Sequence, residues 1–255
     1  MLQPQDEAKK NLTESHTRFA IRQRLNAERR HSYLKDFVYG AIDGSVTTFA
    51  VVSGVAGAAL SSKIIIVLGI ANLLGDGFSM AVGNFLGTKS EQQQRDQARR
   101  TEEQHIEKVP EGEREEIRQI FAKKGFEGEA LEKVVNIITS DKKQWVDTMV
   151  QEELGLTLDG PSPLRAALAT FSAFVLVGFL PLLSFVMHLV HPGACGDPFI
   201  ASAILTVISF FIIGALKAKY VGQSWLISGL ETVSVGSIAA ALAYFVGVGL
   251  KGIVT

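Results

Sequence analysis

Acidic, amide and thioether side chains stand at helical spacing inside a stretch apolar enough to cross a lipid bilayer. Residues 64–91 read IIIVLGIANLLGDGFSMAVGNFLGTKSE, and about 20 apolar residues of helix span the hydrocarbon. Within this stretch Asn72, Asp76 and Met80 follow in steps of four, so a helix stacks them along one side. The preceding apolar run holds Asp43, with Asp36 two helical turns earlier at its edge. A carboxylate at membrane depth costs at least about 2.5 kcal/mol on insertion scales. Carboxylates suit a hard divalent cation and a thioether suits a softer one. A desolvated carboxyl also exchanges protons more readily. Asp36, Asp43, Asn72, Asp76 and Met80 therefore predict an ion path between two neighbouring spans. The competing reading, that Asp43 and Asp76 only hydrogen-bond adjacent helices, asks two acids to do what packing does not need. Glu231 is a lone acid in a later apolar run, open between packing and path.

A second group of ligand types lies in a polar block between the apolar runs. Glu102 and His105 form a Glu-x-x-His pair, Glu113 and Glu116 an i, i+3 pair, and Met149 and Glu153 an i, i+4 pair. Each can clamp a metal from one helix, as Glu-x-x-His pairs do in di-iron bundles. One such pair alone reads as a solvated helix face; three pairs on three helices of one small domain predict a metal site. Lys89–Asp159 holds 17 of the 26 acids and 12 of the 25 basic residues. His188 and His191 flank the end of an apolar run and read as interfacial side chains. Cys195, the single cysteine, excludes an intrachain disulfide. The net charge of −1, with no basic patch interleaved with aromatics, gives no sign of nucleic acid. No Gly-rich phosphate loop, Ser/His/Asp order or Cys-x-x-Cys motif is present, so no nucleotide site is expected.

The elements that must position these groups are helices. The charges crowd into residues 1–36 and 89–159, and the remainder is nearly charge-free. The pattern predicts an all-α integral membrane protein of five transmembrane helices, with a helical metal-binding domain inserted between spans 2 and 3. Residues 1–36 form a polar arm, with a frayed tail over 1–16 and a surface helix over 17–35. Residues 37–87 hold spans 1 and 2, the first over Phe37–Leu60 and the second over Ile64–Gly87. Gly40/Gly44 and Gly83/Gly87 give the small-residue spacing that lets helix backbones approach. No Gly or Pro falls between Thr88 and Val109, so the second span should run on into water until Pro110. Helices over Glu111–Lys123, Glu129–Thr139 and Asp141–Leu154 complete the 88–160 domain. Leu131, Val134, Val135 and Ile138 should pack there against Ile117, Ile120 and Phe121. Residues 161–255 hold spans 3 to 5: Leu164–Val190 with a kink at Pro181, Phe199–Leu216, and a stretch within Trp225–Leu250. Lys and Arg concentrate in the arm, the insert and the loop after span 4. That places N-terminus and insert in the cytosol and the C-terminus outside or in a lumen.

These residues carry a resemblance to the vacuolar iron transporter family, including its yeast manganese/iron and bacterial members. It runs from about Tyr33 to the C-terminus. It rests on Asp36, Asp43 and Gly44 in the first span, Ser79 and Met80 followed by Lys89, Ser90 and Glu91, then Val109 and Pro110, then Met149 with Glu153, Leu154 and Gly155. The resemblance implies a homodimer with its path between the first two spans of both subunits. Asp43 and Met80 match path residues, Asp36 the cytosolic entrance, and Glu102, Glu113, Glu116, Met149 and Glu153 the ligands of a cytosolic domain. It implies transport of Fe²⁺, with Mn²⁺, Zn²⁺ or Co²⁺ as further ions, in exchange for protons. The membrane would be the inner membrane in a bacterium or the vacuolar membrane in a eukaryote. Three positions depart from the plant pattern. His105 stands where an acid is usual, Val150 where a second Met is expected, and Asn72 where the plant path has an acid. Asp76, one turn on, can supply the missing carboxylate.

Two functions are carried forward. One is a divalent metal/proton antiporter that exports metal from the cytosol, its insert capturing the ion. The other, from a different class, is a membrane-anchored di-iron-type ferroxidase or metal sensor whose spans only tether the insert.

Overall fold

A computed structural model describes residues 13–26, 31–191 and 196–254. Cys195 and most of the frayed tail lie outside these. Among the described residues every regular element is a helix. The chain divides into two units, residues 1–32 and 33–255. In the first, α1 covers Arg18–Asn26 of the 17–35 helix expected; residues 27–30 lie outside those described, and residues 31–33 are not helical. The second holds all the remaining elements.

The first apolar helix, α2, runs Leu34–Gly57, starting three residues before the expected Phe37, so that Asp36 stands in its first turn. A tight turn leads into α3, Ser62–Lys108, 47 residues without a break. At 1.5 Å per residue it is about 70 Å long, more than twice a bilayer's hydrocarbon thickness. The absence of Gly and Pro after Thr88 is the physical reason the helix continues where the apolar residues stop. The expected boundary between residues 87 and 88 is thus a change of composition within one helix.

The projecting half of α3 carries a small bundle: α4 (Pro110–Lys123), α5 (Gly128–Thr139) and α6 (Lys142–Glu152). Pro110 opens α4, where a missing N–H costs nothing. Asp141 caps α6, its carboxylate accepting from the backbone N–H of Lys143 (2.9 Å) and Gln144 (3.4 Å). Ile106, Ile117, Val135, Ile138, Trp145, Val146, Met149 and Val150 form the core, with Ile120, Phe121, Leu131 and Val134 packed against it. Arg99 pairs with Asp147 at 2.7 Å and Lys142 with Glu107 at 2.6 Å. Such surface pairs contribute at most about 1 kcal/mol each, so the apolar core sets the arrangement.

The remaining apolar helices are α7 (Pro163–Gly178), α8 (Leu180–Val190), α9 (Pro198–Val221) and α10 (Trp225–Val254). Four helices, α2, α3, α9 and α10, are each long and apolar enough to cross a membrane; counting the bent pair α7–α8 as one span gives five. The bend is 46° and falls where Pro181 was expected to kink the span. Pro181 has no N–H to give the Val177 carbonyl; Ser45 Oγ on α2 donates to that carbonyl instead, at 3.3 Å. Ser202 Oγ donates to the Pro181 carbonyl at 2.6 Å and Ser184 Oγ to that of Pro198 at 2.8 Å. These hydroxyls tie the helices around the bend to one another.

The core of this bundle gathers Phe49, Val52, Val55, Leu73, Phe174, Leu182 and Phe185 around α2. Gly40 and Gly44 place α2 directly on α7: a Cβ at Gly40 would run into the Thr170 carbonyl, and one at Gly44 into that of Phe174. The first GxxxG spacing therefore joins two helices of one chain. We expect Gly44→Ala to destabilise the protein by about 1–3 kcal/mol, the cost of overpacking. A lowered thermal midpoint in detergent would register it; an unchanged midpoint would contradict the close approach.

Candidate metal centre

On the α3 extension, the spacing of Glu102 and His105 sets both side chains toward the start of α4. There Glu102, His105 and Glu113 bring one ligand atom each within 4.8 Å of one another. His105 Nδ1 lies 3.4 Å from Glu113 Oε1. Glu102 is 3% exposed and Glu113 5%, and each keeps an Oε2 with no hydrogen-bond partner. Buried carboxylate oxygens without donors are costly. Two of them beside an imidazole form a donor set of the kind that suits Fe²⁺, Mn²⁺ or Zn²⁺.

The electrostatics agree. Glu113 is raised to about 7, first by burial and then by the charges of Glu116 and Glu102. Glu102 is raised by burial, with Glu116 adding to the shift and His105 opposing it. Glu153, at the end of α6, is raised by burial and by Glu116 and Glu102. Five of the six residues singled out in this domain thus sense one another's charge. The sixth, Met149, is fully buried in the apolar core. Val150, at the position where a second Met was expected, is buried in the same core.

Inside the spans, α2 and α3 run antiparallel in fixed register. Asp36 Oδ1 accepts from Asn84 Nδ2 at 2.8 Å. Two turns deeper, half-buried Asp43 lies within electrostatic reach of Asp76. Among the described residues neither the Asp43 nor the Asp76 carboxylate takes a hydrogen bond or an ion pair. Asp76 is exposed on the outer side of α3. Half-buried Met80 packs against the core of the bundle, and Asn72 keeps an unpartnered Nδ2. Glu231, open between packing and path, is paired with Lys217 across α9 and α10 at 3.2 Å.

Residues that spacing did not single out are Asn84, Thr88 and Thr170. Asn84 and Thr88 continue the same four-residue steps beyond Met80. Each step advances about 40° around the helix, so the series winds from the outer face at Asp76 to the buried junction at Thr88.

Among the described residues this helical membrane protein leaves two acids unpaired within its spans and holds a buried carboxylate–imidazole cluster on the α3 extension. The chain belongs to the VIT family, whose model matches residues 34–248. It is similar to vacuolar iron transporter 1 of Arabidopsis thaliana, 36% identical over 214 residues and 83% of each chain. It is also similar to the vacuolar iron transporter of Toxoplasma gondii, 34% identical over 221 residues, 84% of this chain and 73% of that one. A third relative, the vacuolar iron transporter of Centaurea cyanus, is 33% identical over 228 residues, 86% of this chain and 91% of that one. These names describe transporters, not enzymes.

Proposed function

We propose that this chain is an Fe²⁺/H⁺ antiporter, also accepting Mn²⁺, that works as a homodimer and moves metal out of the cytosol. The observation that carries this reading is the pair Asp43 and Asp76: two acids within the spans, within electrostatic reach of each other, with no group among the described residues neutralising either. A structural acid at that depth would be hydrogen-bonded.

The cluster of Glu102, His105 and Glu113, with Glu116, Glu153 and Met149, takes the ion from the cytosol. Asp36 is the mouth of the path. The ion then passes Asp43, Asp76 and Met80, with Asn72 beyond them, and protons occupy the carboxylates on the return. The proton gradient supplies the work. The positive-inside distribution of Lys and Arg puts the capturing domain on the cytosolic side.

Support for a dimer comes from the outer face of α3. Ala71, Gly75, Ser79, Gly83 and Gly87 recur in steps of four and all are exposed. A Cβ at Gly75, Gly83 or Gly87 would meet nothing within 4 Å. Asp76 stands beside this stripe, and facing lipid it would cost at least about 2.5 kcal/mol. A second copy laid along the stripe would cover it and bring two pairs of acids to one seam.

Purified protein in liposomes tests the reading. Fe²⁺ uptake is expected to rise with an imposed pH gradient and to collapse when a protonophore dissipates it. Uptake indifferent to the gradient would refute proton coupling. Oxygen consumption by the full chain on adding Fe²⁺, with no uptake, would favour the tethered ferroxidase that the Glu102/His105 pair keeps in view.

A further inference from the structure

Asn84 stands where three helices meet. Its Nδ2 donates to Asp36 Oδ1 on α2 at 2.8 Å and to Thr170 Oγ1 on α7 at 2.7 Å. Its Oδ1 accepts from Thr88 Oγ1, one turn along α3, at 3.2 Å. Thr170 Oγ1 in turn donates to the Asp36 backbone carbonyl at 3.4 Å. Thr170 is fully buried and Thr88 nearly so. The amide's orientation follows from chemistry: an ionised carboxylate only accepts, so the NH₂ must face Asp36.

The arrangement has a directional weakness. The NH₂ of Asn84 points partial positive charge at one of the two oxygens a cation would take, and its N–H occupies one of that oxygen's lone pairs. Turning the amide by 180° about its last torsion replaces the donor with Oδ1, a neutral ligand for a hard cation. That turn takes from the Asp36 carbonyl the long bond of Thr170, and that carbonyl, inside the helix, keeps its i+4 N–H. Thr88 and Thr170 are both hydroxyls, and each can donate or accept. Thr88 can receive from the reversed NH₂, and Thr170 can swing its hydroxyl hydrogen toward Oδ1. Asp36 is the one partner in the group that cannot reverse, and it is the one a cation would satisfy.

We propose that Asn84 is a positioning residue for the mouth of the path, an amide latch that holds Asp36 in the ion-free state and reverses to share the incoming cation with it. The inference rests on the reading of Asp36 as that mouth. Because the latch joins α2, α3 and α7, its reversal is felt by three spans at the moment the ion arrives.

The test is initial-rate Fe²⁺ uptake into liposomes by the full chain, read as KM and maximal rate separately. Asn84→Asp keeps the shape, loses the donor and adds a ligand. Its KM is expected to fall about tenfold, the scale of one hydrogen bond to a charged group, with a lower maximal rate because the ion is held longer. Asn84→Leu keeps neither donor nor ligand, and its KM is expected to rise about tenfold on the same scale. Thr170→Val is isosteric and removes one pivot hydroxyl; its KM is expected to rise severalfold. A purely structural role would scale the maximal rate with the amount of folded protein and leave KM alone. KM within twofold of wild type in Asn84→Asp and Thr170→Val would overturn the latch. Asp36→Asn is measured alongside. If it too keeps the wild-type KM, the mouth assignment has failed; if it alone is impaired, only the latch has.

Discussion

Replacing Asp43 by alanine is expected to lower Fe²⁺ flux at least about 100-fold while leaving the protein as stable as before, or more stable. The two halves of this expectation come from the same geometry. Removing one partner from a charge pair in a low-dielectric site costs about 3–5 kcal/mol, and each 1.4 kcal/mol is a factor of about ten. A cation crossing beside Asp43 would lose that much stabilisation. The folded chain without the ion loses nothing, because among the described residues no donor or cation contacts the carboxylate and Asp76 repels it. Functional acids left uncompensated characteristically cost stability. Asp76→Asn should behave in the same way. Uptake rates in liposomes and thermal midpoints in detergent, taken on the same preparations, check both halves. A variant whose flux falls only in proportion to its loss of folded protein would show that Asp43 is a packing residue.

Metal capture by the α3–α6 bundle is expected to weaken steeply below about pH 7. Glu113 is held to about 7 by burial and by its acidic neighbours, so below that value a metal must displace its proton. Displacing one proton costs about tenfold in affinity per pH unit. Glu102 and Glu153, also raised, steepen the dependence. The consequence for stability has a definite sign. Below about 4.5 Glu113 is protonated in the folded and unfolded chain alike, and its burial costs nothing as a charge. As pH rises toward 7 the unfolded chain gives up the proton first, and the ion-free protein loses stability. It should therefore melt at a lower temperature at pH 8 than at pH 6, and Co²⁺ should reverse that order by binding only the folded form. Glu113→Gln should flatten both profiles. Titration calorimetry with Co²⁺ and melting curves across this range measure them, and pH-independent affinity would contradict the assignment.

Much of this was legible along the chain because the signals are local. The uninterrupted α3 follows from a run without Gly or Pro, the start of α6 from Asp141, and the helices of the insert from apolar residues at helical spacing. Glu102 and His105 share a face by spacing alone. What spacing cannot supply is the partner from another element. Asn84 reads as an ordinary polar residue until Asp36 and Thr170 are seen against it. Met149 reads as half of a metal clamp with Glu153, and only the fold shows its neighbours enclosing it in the core. Glu231 reads as open between path and packing, and only the fold shows its ion pair with Lys217, fourteen residues earlier on another helix. Pro181 marks the kink by its type, whereas the hydroxyls of Ser45 and Ser202 that bond carbonyls beside it come from other helices. Gly40 and Gly44 were read correctly as a site of close approach, but only the fold says that α7 is the helix that approaches.

Anomalous scattering at the iron edge, from crystals of the full chain soaked anaerobically in Fe²⁺, tests the central claim most directly. One peak is expected among Glu102, His105 and Glu113 and another within coordinating distance of Asp43 and Asp76. Iron confined to the insert, with no peak near Asp43 at saturating Fe²⁺, would contradict a path through the spans.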